Sequence, residues 1–211
     1  MKNRLLAIAR AVLIALVVLA GAIAVPILFR PFYWWHIGPF QLDEWMGMTA
    51  GEIKEAYGQM MDYCIGLSDT FSVGVLPFSE WGASHFADVR ALFVLDLRVL
   101  AIAGVLLLVL CLLDRRKNVR LGGHTPGFWS AVGLGATFVT VGGLASLDFD
   151  RAFTIFHKIF FPGKDNWIFD GREDPVIYIL PAEFFRNCAV LILALILAAC
   201  AALVLYDNRK K

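Results

Sequence analysis

The sequence lacks the short motifs that identify many enzyme families. It has no CxxC pair, no HExxH, no GxSxG, and neither a phosphate-binding loop nor a dinucleotide fingerprint. Its four cysteines, Cys64, Cys111, Cys188 and Cys200, show no metal-ligand spacing. These absences argue against a zinc protease, a serine hydrolase with a nucleophile elbow and a nucleotide-binding enzyme. No feature indicates nucleic acid as a partner.

Charged residues are few as well, at 18% of the chain, whereas 59% of the 211 residues are hydrophobic. A mean hydropathy of +0.70 is far above that of an ordinary soluble domain. A helix needs about 20 apolar residues to cross a bilayer, and four runs are long enough: Leu5–Phe29, Ala91–Leu113, Phe128–Leu147 and Phe184–Tyr206. The sequence therefore predicts an all-α protein, an integral membrane four-helix bundle, with a single domain over residues 1–211.

The distribution of charge predicts how the bundle is oriented. The net charge is only +1, but basic residues cluster before the first span, between the second and third, and after the fourth. The clusters are Lys2, Arg4 and Arg10; Arg115, Arg116, Lys117 and Arg120; and Arg209, Lys210 and Lys211. By the positive-inside rule both termini are expected in the cytoplasm. Residues 30–90 then form an extracytoplasmic helical and loop cap, and residues 148–183 an outer loop.

The N-terminal segment allows a second interpretation. Lys2–Arg10, the apolar run after it and Ala22-Ile23-Ala24 together resemble a cleavable signal peptide. However, the apolar run continues to Phe29 and is long enough to span a membrane. We therefore favour an uncleaved first helix.

The predicted cap contains one clear helix. Thr49 and Glu52 have the spacing of a capping box, and the apolar positions from Ile53 to Cys64 recur at helical spacing. Gly66–Gly82 is rich in Gly, Ser and Pro and reads as a loop. The aromatic cluster that precedes the helix, ending at His36, is typical of a membrane interface rather than a catalytic centre.

Glycines mark the third predicted span. Gly133, Gly135, Gly142 and Gly143 lie within Phe128–Leu147. Because small residues let membrane helices approach closely, these glycines predict tight packing rather than a ligand site.

The start of the second span carries the first candidate chemistry. On a helix, His85 and Asp88 share a face, and Asp96 extends that face deeper. Asp88 is expected to hold the His85 ring in one tautomer, as the third member of a catalytic triad does. Polar groups at membrane depth are costly and are usually functional. The alternative is an ion-paired helix start in which Asp88 and Arg90 only anchor the span.

A second histidine lies in the outer loop, within a run of phenylalanines. Phe153, Phe156, Phe160 and Phe161 surround His157 at helical spacing, and Trp167 follows in a turn. Such a stripe is often only a packing surface. It also provides an apolar wall for acyl chains and an environment that shifts the pKa of a histidine.

Two other interpretations stay open at this point. His85, Asp88, His157 and Glu183 include the residue types that bind zinc, although they have no close-pair spacing. Alternatively, both histidines are buried structural residues of a non-enzymatic membrane partner protein. We favour an enzyme without a metal or any other cofactor.

Two segments resemble the lipoprotein intramolecular transacylase (Lit) family of small bacterial four-span membrane proteins. The first is His85-Phe86-Ala87-Asp88-Val89-Arg90 with Leu92-Phe93. The second runs from Phe153 through His157 to Phe161 and continues with Asn166-Trp167-Ile168-Phe169-Asp170 and Leu180-Pro181. Their order, the chain length and the number of spans extend the resemblance over nearly the whole chain.

The resemblance implies an acyltransferase that acts on diacylglyceryl-modified bacterial lipoproteins. It would move the sn-2 acyl chain to the α-amino group of the same N-terminal cysteine, which gives the lyso-form lipoprotein without an acyl cofactor. We expect His85, His157 and Asp88 to be catalytic. Arg90, Arg151, Phe153, Phe156 and Trp167 are expected to bind the substrate.

The sequence leaves open which histidine is the base and which is the acid or oxyanion donor. The enzyme is expected to work as a monomer in contact with membrane lipid, near the extracytoplasmic face of the cell membrane. The alternative enzyme is a membrane lipid or lipoprotein hydrolase that uses the same histidines with water as nucleophile.

Overall fold

The structure is a computed structural model that describes residues 2–113 and 119–210. The described chain is helical. In chain order its helices are α1 (Lys2–Leu28), α2 (Pro31–Ile37), α3 (Leu42–Met46), α4 (Ala50–Cys64), α5 (Glu80–Leu113), α6 (Pro126–Leu147), α7 (Phe149–Phe160), α8 (Val176–Ile179) and α9 (Ala182–Arg209). Arg115, Arg116, Lys117 and Lys211, which carry part of the predicted charge asymmetry, lie outside the described residues.

Four helices are long and apolar enough to cross a membrane, which confirms the predicted spans. They are Arg4–Leu28 within α1, and the whole of α5, α6 and α9. The largest difference from the sequence prediction is the start of α5 at Glu80 rather than at Ala91. The apolar run marks only the hydrocarbon-facing part of a helix, whereas the polar turns before it are helical too. His85 and Asp88 therefore lie well inside α5.

The chain divides into two compact units. The span unit comprises Met1–Val25, Asp96–Leu147 and Val190–Lys211, and the connection unit comprises Pro26–Leu95 and Asp148–Ala189. Helices α1, α5 and α9 each contribute residues to both units. The assignment of residues 1–211 to one domain stays a prediction.

Small residues shape the core of the span unit. Its buried centre contains Ala22, Ala131, Ile196 and Cys200. A methyl group at Gly142 would lie 2.8 Å from Leu193 Cδ2, and one at Gly127 would lie 2.9 Å from Leu203 Cδ2, so α6 approaches α9 closely at both glycines.

The glycine prediction for the third span holds only in part. A methyl group at Gly133, Gly135 or Gly143 would meet nothing within 4 Å. A side chain at these three positions would meet no packing partner among the described residues, so of the four predicted glycines only Gly142 stands where a methyl group would be crowded. Glycine content alone does not reveal which face of a helix is covered.

A polar cluster joins the C-terminal part of α9 to the segment before α6. The Asp207 carboxylate is fully buried; it accepts from the Thr125 N–H over 2.6 Å and contacts His124 Nδ1 at 2.7 Å. The His124 ring stacks on Phe128 with 3.9 Å between ring centroids. The carboxylate thus has a partner for each of its oxygens.

In the connection unit, α4 forms as the sequence predicts. Thr49 caps the helix in a reciprocal capping box with Glu52. The predicted apolar stripe is buried: Ile53, Ala56, Tyr57, Met60, Met61 and Cys64. Tyr57 stacks on Tyr33 at 3.7 Å, and the Tyr33 hydroxyl donates to the Ile179 carbonyl. All four cysteines are free thiols, Cys64 and Cys188 included.

Candidate active site

The two predicted histidines lie next to each other in the connection unit. His85 is 6% exposed and His157 is 7% exposed, and their ring centroids are 5.8 Å apart. Their separation along the chain exceeds 70 residues, so only the fold of the unit brings them together. Two imidazoles this close and this buried form a site that can handle protons away from bulk water.

His85 is positioned by the capped start of α5. The Asp174 carboxylate, 3% exposed, accepts from both the N–H and the hydroxyl of Ser79, the residue before the helix. The Ser79 hydroxyl in turn accepts from the Gly82 N–H. A methyl group at Gly82 would overlap Asp174 Oδ1, so the close approach of carboxylate and helix requires glycine here.

His157 is held from within its own helix. The Asp148 side chain caps α7, and His157 Nδ1 lies 2.8 Å from the Phe153 carbonyl one turn earlier. Because a carbonyl oxygen only accepts, Nδ1 carries the proton and Nε2 of the neutral ring is an acceptor. Burial lowers the pKa of His157 below its usual value of 6.5, whereas the bond to Phe153 partly opposes that shift.

An aromatic wall surrounds the histidine pair, and the three predicted aromatic residues belong to it. The His157 ring centroid lies 4.3 Å from that of Phe153, 4.7 Å from Trp167 and 5.5 Å from Phe156. Phe161 is 5.0 Å from His85 and 5.7 Å from His157, and therefore lines both rings. Phe169 lies 5.5 Å from His85.

Asp88 lies one turn after His85 but bonds to other partners. Its Oδ1 accepts from Lys164 Nζ, and its Oδ2 accepts from Asn166 Nδ2 over 3.0 Å. His85 Nδ1 is buried without a hydrogen-bond partner among the described residues. The direct Asp88–His85 hydrogen bond expected from the sequence is thus not formed, because Lys164 and Asn166 occupy the carboxylate.

The two predicted arginines are not brought to the histidines by any contact of the described chain. Arg90 donates to the Ser68 carbonyl and to Asp69, and its guanidinium lies 4.8 Å from the Tyr63 ring centroid. It therefore ties α5 to the segment after α4. Arg151 is exposed in the first turn of α7, where its backbone N–H donates to Asp148.

Asn166, which no sequence argument gave a role, bonds to the two polar residues that flank His85 on α5. It is 4% exposed, and its Nδ2 donates to Ser84 Oγ as well as to Asp88. The sequence likewise did not predict that Phe161 and Phe169 contact His85. A polar residue in a turn is usually exposed, so nothing in the sequence indicated that Asn166 is buried.

The other polar candidates lie apart from the pair. In the residues that the structure describes, no three His, Cys, Asp or Glu side chains are grouped so as to hold a metal ion, and Glu183 is exposed. His36 Nδ1 lies 2.6 Å from the Phe32 carbonyl and its Nε2 is 3.0 Å from Asn187. His36 therefore has partners on both nitrogens.

Comparison with known proteins places this arrangement in a family. The family model described as lipoprotein intramolecular transacylase Lit matches residues 8–185. A comparison with curated proteins gave no match.

Three solved structures of the membrane integral lipoprotein intramolecular transacylase Lit from Bacillus cereus are similar to this chain. One is 26% identical with a TM-score of 0.88 and covers 99% of this chain and 97% of its own. One with an H85R mutation in its own numbering is 24% identical, with a TM-score of 0.78 and coverage of 99% and 93%. One with an H85A mutation is 25% identical, with a TM-score of 0.76 and coverage of 99% and 94%.

Proposed function

The chain belongs to the Lit family of lipoprotein intramolecular transacylases, and from this premise we propose that it acts on the N-terminal diacylglyceryl cysteine of bacterial lipoproteins. It transfers the sn-2 acyl chain of the glyceryl group to the α-amino group of the same cysteine. The observation that carries the proposal is the pair of buried imidazoles, 5.8 Å apart, within an aromatic wall. Two of the Bacillus cereus structures carry a substitution of a histidine, which is in line with a functional role for a histidine in this family.

The chemistry requires two proton acceptors. The substrate amine begins as an ammonium, and its nitrogen must lose two protons to become an amide nitrogen. The carbon–nitrogen bond forms as the carbonyl carbon becomes tetrahedral, and the bond from that carbon to the glyceryl sn-2 oxygen then breaks. One proton goes to this leaving oxygen, and the other is released to water. Two neutral histidines match this requirement.

We assign the first proton to His85 and the second to His157. His85 removes a proton from the ammonium as the amine attacks. His157 accepts the second proton at Nε2, since its Nδ1 is held by the Phe153 carbonyl, and passes it to the leaving alkoxide. The lowered pKa of His157 supports this role, because it keeps the ring neutral near pH 7 and makes its protonated form a stronger acid than an ordinary imidazolium.

The aromatic wall favours transfer over hydrolysis. Phe153, Phe161 and Trp167 cover the histidine rings and leave little room for a competing water molecule. Amine and ester belong to one substrate molecule, so holding both in the site supplies a high effective concentration of nucleophile. A covalent acyl-enzyme and a cofactor are then unnecessary.

We further propose that the site faces the extracytoplasmic side and that both termini are cytoplasmic. The basic clusters at the start of α1, between α5 and α6, and at the end of α9 support this orientation. The histidine pair lies at the ends of the spans that are opposite to the basic clusters.

The test is mass spectrometry of lipoprotein N-terminal peptides from a host that makes only diacylglyceryl lipoproteins. Expression of this chain is expected to yield an N-acyl, monoacylglyceryl cysteine at unchanged total mass. His85→Ala and His157→Ala are expected to abolish that product. His36→Ala is the matched control, because His36 has its own partners on both ring nitrogens, and it is expected to retain the product.

Three outcomes would contradict the proposal. Unmodified diacyl peptides despite confirmed membrane expression would exclude this substrate. Loss of one acyl chain without N-acylation would identify a hydrolase instead. Equal activity of both alanine variants and the wild type would remove the histidine pair from the mechanism.

A further inference from the structure

The Asn166 side chain has only one possible orientation. Its Nδ2 lies 3.0 Å from Asp88 Oδ2 and 3.0 Å from Ser84 Oγ. A carboxylate only accepts hydrogen bonds, so the NH₂ group must be the one that faces Asp88. The amide oxygen is therefore directed elsewhere, and it is buried without a partner among the described residues.

The nitrogen that complements this oxygen belongs to His85. His85 Nδ1 is buried and has no partner within the described part of the chain. Ser84 and Asp88, the two residues that hold the amide, flank His85 on α5. Buried polar atoms are nearly always paired. An unpaired nitrogen on His85 and an unpaired oxygen on the amide that bonds to Ser84 and Asp88 therefore indicate a bond that the working site completes.

We propose that Asn166 is the positioning residue of His85, whose Nδ1–H donates to the Asn166 amide oxygen in the working enzyme. Asp88 acts indirectly, since it orients the Asn166 amide, which in turn orients the His85 ring. Lys164 in turn donates to the other carboxylate oxygen of Asp88. A bond at Nδ1 leaves Nε2 of His85 as the acceptor that receives a proton from the substrate.

The two histidines then have the same tautomer by different means. The His157 Nδ1–H donates a hydrogen bond to the Phe153 backbone carbonyl, and the His85 Nδ1–H donates one to the side-chain carbonyl of Asn166. Both acceptors are neutral oxygens, so neither adds a negative charge that would stabilise an imidazolium. Each Nε2 is thereby kept as a proton acceptor in the neutral ring.

The test uses ¹⁵N NMR of imidazole-labelled protein in lipid nanodiscs, which reads the tautomer of each histidine independently of activity. Signals of His85 are identified by their loss in His85→Phe. The wild type is expected to show the Nδ1–H tautomer at both His85 and His157. In Asn166→Ala, His85 is expected to change to a mixture or to Nε2–H, whereas His157 stays unchanged. We expect kcat to fall about a hundredfold, as displaced catalytic groups do.

Asn187→Ala is the matched control, because Asn187 contacts a different histidine, His36, in the same unit. Its effect on tautomers is expected at His36 alone. Since Asn166→Ala removes several bonds and could impair folding, the exchange variant Asp88→Asn/Asn166→Asp provides a second test. It restores an amide–carboxylate pair with an oxygen toward His85, and is expected to return the proton to Nδ1. Because the new acceptor is charged and favours the imidazolium, the ¹⁵N signal of Nδ1 rather than the activity is the readout for this variant.

An unchanged His85 tautomer in folded Asn166→Ala would overturn the inference. With a loss of activity, that result would instead make Asn166 a direct ligand of the substrate amine. The inference rests on the proposed role of His85, but the two fail separately. Correct tautomers with no N-acylated product would count against the proposed reaction and leave the positioning role standing.

Discussion

The polar clusters of the two units differ in how completely their atoms are paired. In the span unit, each oxygen of Asp207 has a partner, from Thr125 and from His124. In the connection unit, His85 and Asn166 each keep a buried polar atom without one within the described chain. A paired cluster stabilises a fold, whereas buried unpaired atoms cost stability and are retained where a reaction needs them. Pairing, rather than residue type, separates the cluster of His124 and Asp207 from the cluster of His85 and Asn166.

The strongest test of this comparison measures activity and stability in one histidine variant from each unit. His157→Ala is expected to lower kcat about 10²–10⁴-fold, the usual contribution of a general acid–base group, with a small change in melting temperature. His124→Ala is expected to do the reverse, since it removes a partner of the buried Asp207 but lies outside the site. Product formation and thermal unfolding in detergent would be measured for both. A kcat loss in His124→Ala at temperatures where it is folded would break the comparison.

The pH dependence is the next largest effect. The pKa of His157 lies below its usual value of 6.5, so the ring is neutral at pH 7 and can accept a proton. We expect kcat to be level from about pH 7 downward until the lowered pKa is reached, and then to fall about tenfold per pH unit.

Stability should follow pH in the same direction. The unfolded chain binds a proton at His157 near pH 6.5, before the folded protein does, so this residue destabilises the fold as pH falls below that value. Above pH 6.5 the ring is neutral in both the folded and the unfolded state, so His157 no longer makes stability depend on pH. Melting temperatures of wild type and His157→Gln across this range would show it, because the difference between them should depend on pH. A constant difference would show that burial does not perturb this ring.

A smaller effect is expected at the start of α5. Gly82→Ala places a methyl group against Asp174, whose short side chain is held by Ser79, and should cost about 1–3 kcal/mol of stability. Gly104→Ala on the same helix meets nothing within 4 Å and should be neutral or slightly stabilising. Gly82→Ala should also lower kcat, since it disturbs the helix start that places His85. Equal stability of the two variants would contradict the capping role of Asp174.

The smallest effect is expected in the span unit. Gly142→Ala meets Leu193 Cδ2, the mobile end of a flexible side chain, and should cost about 1 kcal/mol or less. Gly143→Ala has open space and should have no measurable effect. Unfolding in mixed micelles would compare them, with product formation as the control, which is expected to be the same in both.

Residues with periodic signals were predicted well. The four spans follow from the length of the apolar runs, because a bilayer demands a continuous apolar helix. Helix α4, its Thr49 cap and its buried stripe follow from local spacing. The pairing of His85 with His157, and the place of Phe153 and Trp167 beside them, was expected from the resemblance to a known family rather than from any local pattern.

The partners of the site residues were predicted poorly. Helical spacing correctly placed Asp88 on the same face as His85. It could not predict that Lys164 and Asn166, more than 70 residues later in the chain, donate to the Asp88 carboxylate. Arg90 is expected to bind the substrate, and the fold also has it donate to Ser68 and Asp69, contacts that helical spacing did not predict. Such choices depend on which segments meet in space, and helical periodicity contains no information on that.

The sequence by itself determined that this chain is helical, that it has four membrane spans and that two histidines lie in polar or aromatic surroundings between them. These properties depend on local composition and on the bilayer, which acts on each segment separately. Only the tertiary structure decided that the two imidazoles lie 5.8 Å apart, that Asp174 caps the helix of His85 and that Asn166 donates to Asp88. Those contacts join residues far apart in the chain, and their energies exist only once the connection unit has folded.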